Sequence, residues 1–185
     1  MKKTILFILL TTTLFSQANT YIGLGYQLYN EDYSYGDQNA LNTSDQAIKF
    51  KIGYADRRAY SVEVSVDYIP HSGSDNPDLG KAKYGFNIAL GKSFDWDIYI
   101  LPYFKAGFGF GILDNSSEPL PSLTYGSFDL GTGIYFPIND SWDLELGYEY
   151  KHLTYENKTQ TGEIDYSLNY RSHVNTIYTG VNFRF

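Results

Sequence analysis

Ser172 and His173 stand side by side, with Glu163 and Asp165 a short way upstream. A hydroxyl, an imidazole and a carboxylate are the parts of an activated nucleophile: the base takes the hydroxyl proton and the acid orients the base. His71 and His152 widen the choice of base. The spacing works against this set. Neighbours on a strand point to opposite faces, so Ser172 and His173 cannot pair directly. Geometry comes before residue type in a catalytic site, and no enzyme is expected.

The other groups with chemical potential are carboxylates: Glu31, Asp32, Asp37 and Asp45, then Asp75 and Asp78. They are hard oxygen donors suited to calcium, but no EF-hand spacing joins them. They read as solvated loop acids, and neither a metal nor a cofactor is expected. With no Cys there is no disulfide framework or thiolate metal site. A net charge of −7 excludes ordinary nucleic-acid binding. A mean hydropathy of −0.33 excludes a bundle of membrane helices, and 185 residues fit one domain.

Positioning is the work of strands. Lys2 and Lys3 precede an apolar run from Ile5 to Phe15 and the small residues Ser16 and Ala18, so residues 1–18 read as a signal peptide cleaved after Ala18. From Asn19 onward the pattern alternates with period two. Eight runs can be drawn, centred on Ile22–Leu28, Ile48–Tyr54, Tyr60–Tyr68, Tyr84–Leu90, Ile98–Phe110, Phe128–Phe136, Leu144–Tyr150 and Ile177–Phe185. Pro102 cannot donate to a ladder, so a bulge or register shift is expected in the fifth. Long connections near 31–46, 70–82, 112–124 and 154–172 alternate with short ones at 55–59, 93–97 and 137–142. The long loops therefore share one end. Their Tyr, Ser and Asn content, with Tyr33, Tyr35, Tyr155, Tyr166 and Tyr170 among them, suits adaptable binding.

Alternation does not say which face points inward. Gly23, Gly25, Gly53, Gly85, Gly91, Gly107, Gly109, Gly131, Gly133, Gly147 and Gly180 share the polar face. Glycine weakens a strand unless space is short, as it is inside an eight-stranded barrel, so the polar face is the inside. That face carries Lys49, Lys51, Lys105, Lys151 and Arg184 against Glu63, Asp67, Asp129, Glu145 and Glu149. Balanced charge withdrawn from water predicts a salt-bridged plug. On the apolar face tyrosines gather toward strand ends, as aromatic girdles do, and Trp96 and Trp142 fall at short turns as interfacial anchors.

The final stretch, Tyr178-Thr-Gly-Val-Asn-Phe-Arg-Phe185, resembles the carboxy-terminal signature of Gram-negative outer-membrane β-barrels. Tyr103-Phe-Lys-Ala-Gly-Phe-Gly-Phe110 and Leu144-Glu-Leu-Gly-Tyr-Glu-Tyr150 are similar to strands of small barrels related to the OmpA transmembrane domain, OmpX, OmpW and opacity proteins. The resemblance implies an all-β, eight-stranded antiparallel up-and-down transmembrane barrel over residues 19–185, in the cell outer membrane with both termini periplasmic. It also implies contact with outer-membrane lipid and lipopolysaccharide and recognition of Val181, Phe183 and Phe185 by the barrel assembly machinery; the wall-anchoring function of full-length OmpA-type proteins is not implied. Some similar barrels modify lipid A, but in the deacylase pattern histidine and serine lie two apart. The expected function is envelope integrity, adhesion or recognition of an extracellular partner through the loops. A narrow channel for small or apolar solutes is the alternative.

Overall fold

The computed structural model describes residues 19–35, 38–70, 82–114, 122–156, 158–160, 166–168 and 170–185. The expected leader lies outside them. Strands β1 (Asn19–Tyr35), β2 (Gln38–Ala55), β3 (Tyr60–Pro70), β4 (Ala82–Ser93), β5 (Leu101–Asp114), β6 (Leu123–Pro137), β7 (Trp142–Tyr155) and β10 (Tyr170–Arg184) form a closed antiparallel barrel. Strands β8 (Lys158–Gln160) and β9 (Tyr166–Leu168) make a separate two-stranded ribbon. Closure joins the first strand to the last, in register from Tyr21↔Arg184 to Tyr35↔Tyr170, while the ladder of β2 with β3 runs from Ile48 to Ala55.

β3 shows why these residues make this wall. Val62, Val64, Val66 and Tyr68 are β-branched or aromatic and face outward, while Ser61, Glu63, Ser65 and Asp67 are buried inside. The pattern is that of a soluble sheet turned inside out. Leu90 is 65% exposed and Phe108 71%, whereas Lys51 is 2% exposed and Glu145 1%. Crossing a bilayer takes about 9–11 strand residues. β1 has 17 and β2 has 18, so both outrun that length. Beyond outward Ile22, Leu24, Tyr26 and Leu28, β1 exposes Asn30 and Asp32.

Two expectations about boundaries need correction. The first long connection is not a loop from 31 to 46: β1 continues to Tyr35 and β2 starts at Gln38. Its residues turn polar on the outward side because that part of the wall has left the apolar band, and the ladder continues regardless. The fifth strand starts at Leu101, so Ile98 and Ile100 belong to the preceding turn. Leu101 and Tyr103 point inward and are buried, which explains the apolar character of both faces there. No register shift occurs at Pro102, which pairs with Ile134. As the second residue of the strand it withholds a donor where the ladder has barely begun. Its carbonyl accepts from Phe94 N–H at 2.8 Å and ties down the turn. The shift that does occur among the described ladders lies between Tyr33 and Ser34.

Candidate functional site

The lumen concentrates the charge of the molecule. From the short-turn end to the long-loop end, β7 directs Asp143, Glu145, Glu149, Lys151 and Tyr155 inward. They fall into four polar clusters stacked along the interior, with Glu149 and Lys151 sharing one.

At the short-turn end, Arg184 Nε donates to Asp143 Oδ2 at 2.6 Å, and Arg57 reaches Asp143 Oδ1 at 3.0 Å. Above it, Glu145 is a hub. Lys51 donates to it, as do Tyr103 at 2.7 Å, Asn182 at 2.9 Å, Tyr178 at 3.0 Å and Lys105 at 3.3 Å. Glu63 closes the same cluster, accepting from Tyr21 at 2.5 Å and Lys105 at 2.8 Å, with Lys51 at 3.5 Å. A carboxylate surrounded by this many donors recovers much of the solvation lost on burial.

The third cluster is a four-membered ring of charge. Lys49 and Glu149 are 2.5 Å apart, Glu149 and Lys151 2.9 Å, Lys151 and Asp67 2.5 Å, and Asp67 and Lys49 3.7 Å. Asn87 donates to Asp67 at 2.8 Å. Between the second and third clusters, a cavity of about 20 Å³ bordered by Lys49, Glu63, Lys105, Asp129 and Glu149 has room for one water-sized molecule.

The fourth cluster closes the long-loop end. Lys83 Nζ lies 2.6 and 2.7 Å from the two oxygens of Glu31, and the rings of Tyr29, Tyr33, Tyr125 and Tyr155 surround it at 5.3–5.7 Å. Ser172, at 2.5 Å, and Tyr29, at 2.9 Å, both donate to Glu31. The buried ring faces attract the ammonium through their quadrupoles.

Glycines make room for these layers. A Cβ at Gly147 would lie 2.5 Å from both Tyr103 Oη and Tyr178 Cζ. The two rings therefore cross the lumen to reach Glu145 because Gly147 has no side chain.

All ten residues expected in the lumen are buried there. Asp129 is the weakest member: it faces Lys151 in register, but Oδ1 has no hydrogen-bond partner among the described residues. The expected set was incomplete. Glu31, Lys83 and Asp143 are also buried inside, giving six cations and seven carboxylates before Arg57 is added at the rim. Glu31 is thus no calcium-ready loop acid, and Tyr33 and Tyr155 line the lumen and are no part of a loop surface. Asp32 accepts from Asn42 at 2.5 Å on the outer wall, and Asp45 lies on β2. Parity was the available signal: Lys83 keeps step with Gly85 and Asn87, and Asp143 with Glu145.

Ser172 faces the lumen with no exposure and His173 faces outward, so the strand separates them. His71, Glu163, Asp165, Asp37, Asp75 and Asp78 lie outside the described residues. On the outer wall Val181 is 39% exposed, and Phe183 packs on Trp142 with centroids 4.8 Å apart. Phe185 N–H donates to Thr20 at 3.1 Å, and Trp96 sits exposed in the turn before β5.

Residues 5–185 match the model of the family described as outer membrane protein beta-barrel domain. No curated protein sequence matches the chain significantly. Among solved structures, Neisserial surface protein A is similar with a TM-score of 0.66 and 16% identity, over 92% of this chain and 100% of that one. Ail, the attachment invasion locus protein of Yersinia pestis, in complex with the heparin analogue sucrose octasulfate, gives 0.58 and 18%, over 91% and 99%. The N-terminal β-barrel domain of Pseudomonas aeruginosa OprF gives 0.51 and 11%, over 88% and 97%. At these identities the likeness is one of fold.

Proposed function

We propose that this chain, which belongs to the outer membrane protein β-barrel domain family, is a closed-lumen scaffold that presents its long loops as a recognition surface, with neither enzymatic nor pore activity. The observation that carries this reading is the lumen itself, crossed by four ionic clusters with a cavity of about 20 Å³ between two of them. A conduit needs a continuous wet path, and paired charges with tyrosines bridging them occupy that space. The alternative, a narrow solute channel, has no such support.

The short turns and both barrel termini face the periplasm in this reading, after removal of residues 1–18, and the long loops face outward. Val181, Phe183 and Phe185 present the assembly signal, and Trp96 and Trp142 anchor the periplasmic interface. The loop segments carry Asp75, Asp78, Glu118, Glu163 and Asp165 against Lys81 and Lys158. A sulfated glycan such as the heparin analogue seen with Ail has the wrong charge for that surface. The chemistry here suits a protein partner with a basic patch.

The test is to replace 71–81, 115–121 and 157–169 with short Gly-Ser turns, then compare binding of wild-type and loop-free cells to host cells and matrix proteins. A folded loop-free barrel that has lost binding supports the reading. Wild-type cells that bind no better than cells lacking the protein, or binding unchanged by the exchange, contradict it. Intact mass of the outer-membrane protein checks cleavage after Ala18.

A further inference from the structure

His152 on β7 and His173 on β10 are direct partners in the ladder. Their chain neighbours Leu153 and Ser172 are buried in the lumen, so both imidazoles project from the outer wall, beyond the apolar Leu144, Leu146 and Tyr148. The two Nδ1 atoms are 3.2 Å apart, and Tyr150 Oη lies 2.6 Å from His173 Nδ1. None of these groups takes part in the lumen clusters.

Three polar atoms thus converge where a single hydrogen-bond chain is poorly served. A ring nitrogen has either one proton or one lone pair, so His173 Nδ1 cannot make linear bonds to Tyr150 and His152 at once. A cation seated between the rings uses a lone pair from each. Two imidazole nitrogens about 2.0–2.1 Å from a tetrahedral Zn²⁺ are themselves about 3.3 Å apart, close to the spacing present here.

We propose that His152 and His173 form a two-imidazole binding site for a late first-row divalent cation, Zn²⁺ or Cu²⁺, on the outer wall at the long-loop end. The expectation of no metal site weighed the loop carboxylates and the missing cysteines and took the histidines only as bases, whereas the ladder brings His152 and His173 together. Adjacent strands hold the two side chains in register, so little ordering remains to be done on binding. Binding takes up the Nδ1 lone pair that Tyr150 Oη meets at 2.6 Å, so the phenol gives up that hydrogen bond and solvent fills the remaining positions. Among the described residues no cluster of three or more His, Cys, Asp or Glu could hold a metal. Two charges flank the pair: Arg171 on β10 and, from β1, Asp32, the ladder partner of His173. Imidazole donors favour Cu²⁺ and Zn²⁺ over Mg²⁺ and Ca²⁺, which separates this site from oxygen-donor sites for hard cations.

The test is calorimetric titration of the untagged barrel, refolded in a zwitterionic detergent free of lipopolysaccharide, with ZnCl₂, CuCl₂ and MgCl₂. The expected result is one equivalent of Zn²⁺ per chain, tighter binding of Cu²⁺ and no binding of Mg²⁺. His152→Ala and His173→Ala each lose that equivalent, and His71→Ala keeps it. As a check on the unmutated protein, Zn²⁺ should protect two histidines from diethyl pyrocarbonate. Absence of saturable Zn²⁺ binding, or an equivalent retained in the His152→Ala/His173→Ala double variant, overturns the site.

Discussion

Glu31 and Lys83 meet at 2.6 Å in a place where neither side chain has any exposure, although they stand on β1 and β4, which are not neighbours in the wall. The pair spans the lumen and closes its long-loop end. Removing one member of a buried pair strands the other charge, at a cost of about 3–5 kcal/mol. Glu31→Gln should therefore lower the urea midpoint of unfolding from liposomes. Adding Lys83→Met should restore much of it, because the uncompensated buried charge is then gone. A single variant as stable as wild type would mean that water already reaches the ammonium.

Gly147→Ala tests the crossing tyrosines. The new Cβ would meet Tyr103 and Tyr178, and overfilling a close-fitted interior costs about 1–3 kcal/mol. Stability in the same unfolding assay should fall, and Tyr178→Ala placed with Gly147→Ala should cost less than the sum of the two single changes. Strict additivity would mean that the tyrosines do not depend on this glycine.

The outward face is tested at Ile88, midway along β4 and 49% exposed. An arginine at the bilayer midplane on a lipid-facing wall costs about 2–4 kcal/mol. Ile88→Arg should destabilise the barrel by that order in liposomes, while Ser65→Ala in the lumen should be close to silent. Equal behaviour of the two would remove lipid from that face.

Deletion of Phe185 addresses assembly. The residue is 67% exposed and joins the wall through its backbone N–H, so its side chain adds little to stability. Surface levels in cells should fall while refolding in detergent persists. Unchanged surface levels would show that the terminal aromatic is not read.

Strand parity was legible because period-two alternation cannot slip by one residue without reversing both faces. Val62, Val64 and Val66 against Glu63, Ser65 and Asp67 leave one solution, and the glycines choose its inside. Strand ends were less legible. Glu31 and Tyr33 continue the inward row after the outward row has turned polar, so hydropathy marks the edge of the apolar band while the strand goes on. Lys83 and Asp143 were missed for the same reason, since each sits at a strand end beside residues read as loop. The partners of each charge were legible only in part: Lys51 does meet Glu63 on the neighbouring strand, at 3.5 Å. Neighbouring strands suggest Lys51 with Glu63, but the wall curves, and Lys51 makes its closer contact with Glu145 across the lumen.

Single-channel recording on the refolded barrel in a planar bilayer is the most direct test of a closed lumen. With the four clusters intact, the wild type is predicted to give a flat trace at moderate voltage, without unitary steps. Regular, reproducible steps from wild-type protein, persisting after loop replacement, would show a continuous water path through the clusters and contradict the closed-lumen reading.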